Sequence, residues 1–177
     1  MIQHVFTQLK PHFDPILVSA NDSARFDFLE AVIVPDKIAN QGPLMGIVSC
    51  LEVSPCDFNF VVACDIPIID IAFVQWMLHC AMNYDCLVPV NDGEHIEPLF
   101  AVYRKSALDA LGQALAAGQR RIRDALARCN TQYVELPKTA MLRNINTARD
   151  YEGLLARPLQ AKFLQPCENK TSRANIS

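Results

Sequence analysis

The chain has 177 residues, of which 51% are hydrophobic and 20% charged, and this fits one globular domain with a sizeable core. Its 16 basic and 19 acidic side chains give a net charge of -3, which argues against a general nucleic-acid surface because that function needs basic excess. No apolar stretch approaches the roughly 20 residues of a membrane helix, and the first residues lack the layout of a secretory signal. We therefore expect neither nucleic acid nor membrane as a partner, while a small anionic ligand remains compatible with the charge.

Cysteine usage indicates a reducing compartment. The sequence has seven cysteines, and none forms a C-x-x-C pair, which disfavours a zinc knuckle. Several lie within apolar runs, where cysteine behaves as a small hydrophobic residue. An odd, scattered set in a chain of this size predicts a cytoplasmic protein.

The first half of the chain alternates predicted helices and strands. A short helix, MIQHVFTQLK, ends before two prolines, and the apolar strands ILVSA and AVIVP follow. The next helix, GPLMGIVSCLEVS, begins at Pro43, since a proline in the first turn loses no needed N–H. FNFVVAC is the third strand, and a long apolar helix is predicted over residues 68–82 with Trp76 buried.

The second half continues this alternation. CLVPV is a strand, NDGE is a turn, and EPLFAVYR is a strand whose short connection predicts an antiparallel neighbour. Two helices, SALDALGQALAAG and RRIRDALARC, precede the strand YVELP and a last helix, ARDYEGLLA. We expect a domain over residues 1–156 and a polar, loose tail over residues 157–177.

Continuous apolar strands that alternate with helices predict an α/β domain with a mainly parallel sheet and helices on both faces. Ligands of such folds bind beyond the carboxyl ends of the strands. Three successive strands end close to polar residues, Asn21, Asp36 and Asp65, and these side chains would line one crevice. Oxygen ligands without nearby cysteine or histidine suit Mg²⁺.

Asp65 lies in the stretch FNFVVACDIP, where an apolar strand ends at an acid and Pro67 prevents the strand from continuing. One interpretation is that Asp65 only caps the following turn. The other is that Pro67 ends the strand so that the carboxylate projects into the crevice. Asp70, near the start of the following helix, is interpreted as an acid that favours the helix N-terminus.

The segments VVACDIP, GPLMGI, EPLFAVYR, GQRRI and NINTARDY, in this order and spacing, resemble the molybdenum cofactor guanylyltransferase family. The resemblance covers the chain to about residue 155. It implies a Rossmann-like fold of the nucleotide-diphospho-sugar transferase type, and transfer of GMP from GTP to molybdopterin with release of pyrophosphate. The implied cofactor is Mg²⁺, and the implied partners are GTP, molybdopterin, and molybdoenzymes or other cofactor-biosynthesis proteins.

The resemblance also implies roles for individual residues. Asp65 matches the catalytic magnesium ligand, and Asn21 and Asp36 match residues that contact the guanine nucleotide. The other matching positions are Gly42, Pro43, Leu44 and Gly46 beside the nucleotide, Asn144 and Asn146 facing molybdopterin, and Arg120 and Arg121 near that substrate.

Structural roles remain open for two of these groups. Arg120 and Arg121 also fit a solvated helix face, and Asn144 and Asn146 also fit the cap of the last helix.

The family's glycine-rich phosphate loop has no counterpart in this sequence. The family opens with a strand and a loop of the type L-x-G-G-x-S-x-R-M-G, whereas no glycine precedes Gly42 here. Without that inner strand we expect two unpaired sheet edges. Three explanations are open: the chain starts at an internal methionine of a longer protein, it is a degenerate relative, or a partner chain supplies the strand.

Loss of the phosphate loop would remove several charge-assisted contacts of about 1.5–3 kcal/mol each, so we expect weak activity from this chain alone. Two alternative functions follow. One is a non-catalytic relative that binds a nucleotide, a pterin or a partner protein. The other is a nucleotidyltransferase that uses CTP or another acceptor.

Overall fold

The computed structural model describes residues 1–137, and the predicted last helix, the tail over residues 157–177, Asn144 and Asn146 lie outside this range. The helices are α1 (Ile2–Leu9), α2 (Pro43–Val53), α3 (Ile71–Cys80), α4 (Leu108–Ala116) and α5 (Ile122–Leu126). The strands are β1 (Leu17–Ser19), β2 (Val32–Val34), β3 (Phe58–Val62), β4 (Cys86–Asn91), β5 (His95–Ile96), β6 (Phe100–Arg104) and β7 (Thr131–Glu135). Across this range no helix has the length and apolarity needed to cross a membrane.

The strands form two sheets. β1 and β2 pair in parallel, and the second sheet has the order β3-β6-β4-β7, with the short β5 also pairing with β4. β6 runs antiparallel to both of its neighbours, so β3, β4 and β7 share one direction. The prediction of mainly parallel strands with one antiparallel EPLFAVYR strand is therefore confirmed, and β5 is an element that the sequence analysis missed.

Helices cover both faces of the larger sheet, as predicted. Alternate side chains of a strand point to opposite faces, and β6 divides accordingly between two cores. Ala101 and Tyr103 pack with α2, α4 and α5, whereas Phe100 and Val102 pack with α1 and α3.

Local chemistry determines where the helices α2 and α3 begin. α2 begins at Pro43, as predicted, after Gly42 in a left-handed conformation with φ of 77°. α3 begins at Ile71, because the Asp70 carboxylate accepts a hydrogen bond of 3.1 Å from the Phe73 N–H and so caps the helix. The predicted helix over residues 68–82 was therefore too long at both ends.

Candidate functional site

Asn21 and Asp36 lie just beyond the carboxyl ends of the parallel strands β1 and β2 and are hydrogen-bonded to each other. The Asp36 backbone N–H donates to Asn21 Oδ1 at 2.8 Å, and Asn21 Nδ2 donates to Asp36 Oδ2 at 3.2 Å. Parallel pairing brings the two strand ends to one edge of the sheet, as the sequence predicted. The two bonds orient the Asp36 carboxylate and leave it with unused acceptor positions.

Ser19 and Gly46 complete the surroundings of this carboxylate. Ser19 Oγ donates to Asp36 Oδ1 at 3.4 Å. A Cβ atom added to Gly46 would lie 2.5 Å from Ser19 Oγ and 3.6 Å from Asp36 Oδ1. The first turn of α2 therefore approaches β1 and the carboxylate closely because residue 46 has no side chain.

Lys37 anchors the segment after Asp36 to α2. Its backbone N–H donates to Ser49 Oγ at 3.2 Å, and its ammonium group lies 2.7 Å from Glu52 Oε2. Because Ser49 is buried, the backbone bond is shielded from water. Asp36 is thus fixed from the β1 side by Asn21 and from the α2 side by the residue that follows it.

The charge of Asp36 affects the pKa of the Cys50 thiol. Burial and the nearby Asp36 carboxylate raise the pKa of Cys50 to about 11, with burial as the larger cause. Both effects disfavour the thiolate. Cys50 and Asp36 both line the cavity, so the carboxylate charge acts on a second group there.

A cavity of about 410 Å³ extends from this carboxylate between the two sheets. Ser19, Asp36, Gly42 and Gly46 line one end of it. Apolar side chains of β1, β3 and α2 line most of the rest, together with the polar residues Asp14, Ser54 and Asn59. A volume of this size is typical of a pocket for a small ligand.

The remaining nucleotide-side predictions fall at the start of α2. Gly42 and Pro43 are exposed and line the cavity. The Leu44 side chain is fully buried in the core, so only its backbone faces the site.

Asp65 lies in the turn after β3 and is partly buried. It is not among the residues that line the cavity, and its carboxylate has no hydrogen bond or ion pair with any part of residues 1–137 that the structure describes. Gln8 of α1 holds the following loop, since its side chain donates to the Pro67 carbonyl at 2.7 Å and accepts from the Ile69 N–H at 3.2 Å. The structure therefore joins Asn21 and Asp36 directly but does not link Asp65 to them.

The single carboxylate of Asp65 suits a metal ion that binds together with a phosphate-bearing substrate. Among residues 1–137, no three acidic, histidine or cysteine side chains converge on one point. Mg²⁺ needs only one or two carboxylates when substrate phosphates complete its coordination. An uncommitted carboxylate such as Asp65 meets that requirement.

Arg120 and Arg121 are exposed residues directly before α5. No contact among the described residues joins their guanidinium groups to Asp36 or Asp65. Ser19 and Gln8 are residues that the sequence analysis missed. Ser19 was detectable, because it shares a strand side with position 21, whereas Gln8 gives no signal in the sequence.

The two-sided α/β arrangement, with a polar pocket beyond parallel strands, is that of the α/β folds that bind nucleotides at their strand ends. Molybdopterin-guanine dinucleotide biosynthesis protein A from Archaeoglobus fulgidus superposes with a TM-score of 0.71 at 26% identity, covering 86% of this chain and 82% of that chain. The chain belongs to the MobA-like NTP transferase family, whose domain it matches over residues 1–133.

Curated relatives place it further within that family. The molybdenum cofactor guanylyltransferase of Pseudomonas putida is 32% identical over 83% of this chain and 78% of its own length. That of Syntrophotalea carbinolica is 29% identical over 86% of this chain and 76% of its own length. The predicted resemblance is confirmed.

Proposed function

We propose that this protein transfers GMP from GTP to molybdopterin in the cytoplasm, forming the guanine dinucleotide cofactor and releasing pyrophosphate. The relatives named above support the reaction. The observation that carries the proposal is the Asn21–Asp36 pair, which lies beside the first turn of α2 at the edge where α/β folds bind nucleotides.

Guanine recognition is assigned to the Asp36 carboxylate. Guanine presents an N1–H and an exocyclic amine as adjacent donors, which an ionised carboxylate accepts with two charge-assisted hydrogen bonds. Cytosine and adenine lack this pair of donors. Asn21 contributes by holding Asp36, and Gly46 by allowing the first turn of α2 to lie close to Ser19 and Asp36.

Asp65 is the residue assigned to Mg²⁺. When bound with the triphosphate, the ion would neutralise charge that develops at the α-phosphate during transfer. The protein's own part is to hold the carboxylate in place, and Gln8 does this through the Pro67–Ile69 loop. Arg120, Arg121, Asn144 and Asn146 remain predictions for the molybdopterin side.

A second candidate function is nucleotide binding without transfer. It applies to these 177 residues taken by themselves, because no glycine precedes Gly42 and no glycine-rich phosphate loop lies among them. Guanine recognition by Asp36 would survive without such a loop, whereas in-line positioning of the triphosphate would not.

The test is an assay of pyrophosphate release and of guanine dinucleotide formation from GTP, molybdopterin and Mg²⁺. The proposal predicts product with the wild type and none with Asp65→Asn. Asp109→Asn, which changes an exposed acid of α4, is the matched control and retains activity. GTP binding without pyrophosphate release would establish the second candidate, and equal turnover by Asp65→Asn would refute the role of that residue.

A further inference from the structure

Glu97 lies at one edge of the larger sheet, between β5 and β6. Its backbone N–H donates to the Pro89 carbonyl of β4 at 2.8 Å. The Leu99 carbonyl accepts from the N–H of Ala63, directly after β3, also at 2.8 Å. Because β6 runs antiparallel to β3 and β4, the residues that precede β6 lie beside the carboxyl ends of both neighbours. Glu97 is therefore at the edge where α/β folds bind their ligands.

Asp65 belongs to the same edge of the sheet. It follows Ala63 closely in the chain, just as Glu97 closely precedes Leu99. The hydrogen bond between Ala63 and Leu99 thus joins the two segments that carry these carboxylates. A substrate that lies across the ends of β3, β6 and β4 would pass from one segment to the other.

Hydrogen bonds fix the backbone on which Glu97 stands. Its carbonyl accepts from the Phe100 N–H at 3.0 Å. The next carbonyl, of Pro98, accepts from the Tyr103 hydroxyl at 2.7 Å, and Tyr103 is fully buried in the core. The position of residue 97 is thus determined by β3, β4 and β6, and sites built on such rigid elements hold their ligands in a defined geometry.

The carboxylate of Glu97, in contrast, has no hydrogen bond or ion pair with any other residue of the described range, although Glu97 is half-buried. Burial raises the pKa of this carboxyl, and the nearby His95 acts in the opposite direction. Removing an ionised carboxylate from water is unfavourable unless hydrogen-bond donors reach it. The position therefore suits a ligand that brings its own N–H donors.

The residues that flank Glu97 are apolar. Ile96, Pro98 and Leu99 are half-buried, so each keeps part of its surface exposed. Small-ligand sites combine apolar surface of this kind with a few polar groups that fix orientation. A flat heterocycle with N–H groups along one side matches this combination. A hydrated Mg²⁺ ion does not, because it needs oxygen atoms on several sides.

The reaction proposed above involves two such heterocycles. Guanine and the pterin of molybdopterin share one side of a pyrimidinone ring, on which a ring N–H and an exocyclic amine point in the same direction. An ionised carboxylate accepts both donors with two charge-assisted hydrogen bonds. Asp36, assigned to guanine, follows β2 of the smaller sheet. Because Asp65 is assigned to the metal, the second heterocycle calls for another carboxylate.

We propose that Glu97 recognises the pterin ring of the acceptor substrate by accepting hydrogen bonds from its ring N–H and its exocyclic amine. This inference rests on the proposed function, because that function makes the acceptor a pterin. It adds an anionic acceptor to the residues already predicted for the molybdopterin side, which are Arg120, Arg121, Asn144 and Asn146.

A matched pair of ligands tests this assignment. Hydroxymethylpterin phosphate carries both donors, whereas hydroxymethyllumazine phosphate has a carbonyl group in place of the exocyclic amine. Both rings fluoresce, so each can be titrated with the full chain near neutral pH, without GTP or Mg²⁺. The wild type is expected to bind the pterin at least about tenfold more tightly, because the lumazine loses one hydrogen bond and places its carbonyl against the carboxylate.

Two substitutions identify the carboxylate that is responsible. Glu97→Gln keeps the size of the side chain but removes its charge, and it should abolish the preference for the pterin, since an amide can also donate to the lumazine carbonyl. Glu94→Gln changes an exposed acid of the preceding turn and should retain the preference. Because the Glu97 carboxylate has no partner to lose, Glu97→Gln should unfold at a temperature no lower than that of the wild type.

Three results would overturn the assignment: equal affinity of the wild type for the two ligands, no binding of the pterin, or a preference that persists in Glu97→Gln. A lower unfolding temperature of Glu97→Gln would also contradict it, by showing a structural partner for the carboxylate. The proposed reaction is tested separately. GMP transfer that needs Asp65 but not Glu97 would keep the reaction and remove only the role of Glu97. A pterin preference that depends on Glu97, without transfer, would support the site and contradict the reaction.

Discussion

Asn21 and Asp36 are joined by two hydrogen bonds across the ends of β1 and β2, and these bonds determine how the Asp36 carboxylate faces the cavity. Asp36 contributes its backbone N–H to one bond and its side chain to the other. Because the backbone bond does not need the carboxylate, Asp36→Asn removes the charge while keeping the connection between the strands. The pair therefore allows recognition to be tested separately from folding.

The close approach of α2 to β1 predicts the effect of Gly46→Ala. The new Cβ would lie 2.5 Å from Ser19 Oγ and 3.3 Å from Ser19 Cβ, so the Ser19 side chain must move away from Asp36. We expect the free energy of unfolding to fall by about 1–2 kcal/mol and GTP affinity to fall with it. Chemical denaturation and calorimetric titration measure the two effects.

Two companion variants identify the cause. Gly112→Ala in α4 has no atom within 4 Å of the added Cβ and should instead stabilise the protein by about 0.5–1 kcal/mol through helix propensity. Ser19→Gly combined with Gly46→Ala removes both close contacts and should recover stability relative to Gly46→Ala. A Gly46→Ala protein as stable as Gly112→Ala would show that the approach is not restrictive.

The raised pKa of Cys50 predicts a pH dependence of thiol alkylation. Iodoacetamide reacts with the thiolate, so the rate at Cys50 should increase as pH rises toward its pKa of about 11. The exposed Cys56 and Cys64 should react faster near neutral pH. Because the Asp36 carboxylate raises this pKa, Asp36→Asn should accelerate alkylation of Cys50 but not of Cys64, as peptide mass spectrometry would show. An unchanged alkylation rate at Cys50 in Asp36→Asn would show that the Asp36 charge does not act on this thiol.

The Gln8 side chain is predicted to stabilise the loop that follows Asp65. Gln8→Met keeps the length of the side chain but leaves the Pro67 carbonyl and the Ile69 N–H without this partner. We expect a loss of about 2 kcal/mol in unfolding free energy, measured by urea denaturation. Gln3→Met changes an exposed residue of the same helix and should be close to neutral. Equal stability of the two variants would contradict the role of Gln8.

Periodicity and strand-end chemistry were sufficient to predict most of the fold. Continuous apolar runs identified β3, β4 and β6, and the short connection after β4 predicted that β6 is antiparallel. Pro43 identified the start of α2. The bounds of α3 were less predictable, because the apolar pattern continues beyond both ends of the helix. Only the Asp70 cap determines where α3 begins.

The candidate site was predictable only where sheet geometry determines it. Parallel neighbours bring their carboxyl ends together, so Asn21 and Asp36 were expected to meet and do. β3 belongs to the other sheet, and its pairing gives no information on how Asp65 lies relative to them. Gln8 contacts a loop about sixty positions away in sequence, and no local pattern encodes such a contact.

The central claim is that Asp36 recognises guanine. Its most direct test is calorimetric titration of GTP, CTP and ATP into the wild type and into Asp36→Asn. Two charge-assisted hydrogen bonds specific to guanine predict that GTP binds the wild type at least about tenfold more tightly than CTP or ATP. Asp36→Asn should remove this preference without unfolding the protein. Equal affinities for the three nucleotides, or a preference for GTP that persists in Asp36→Asn, would contradict the account.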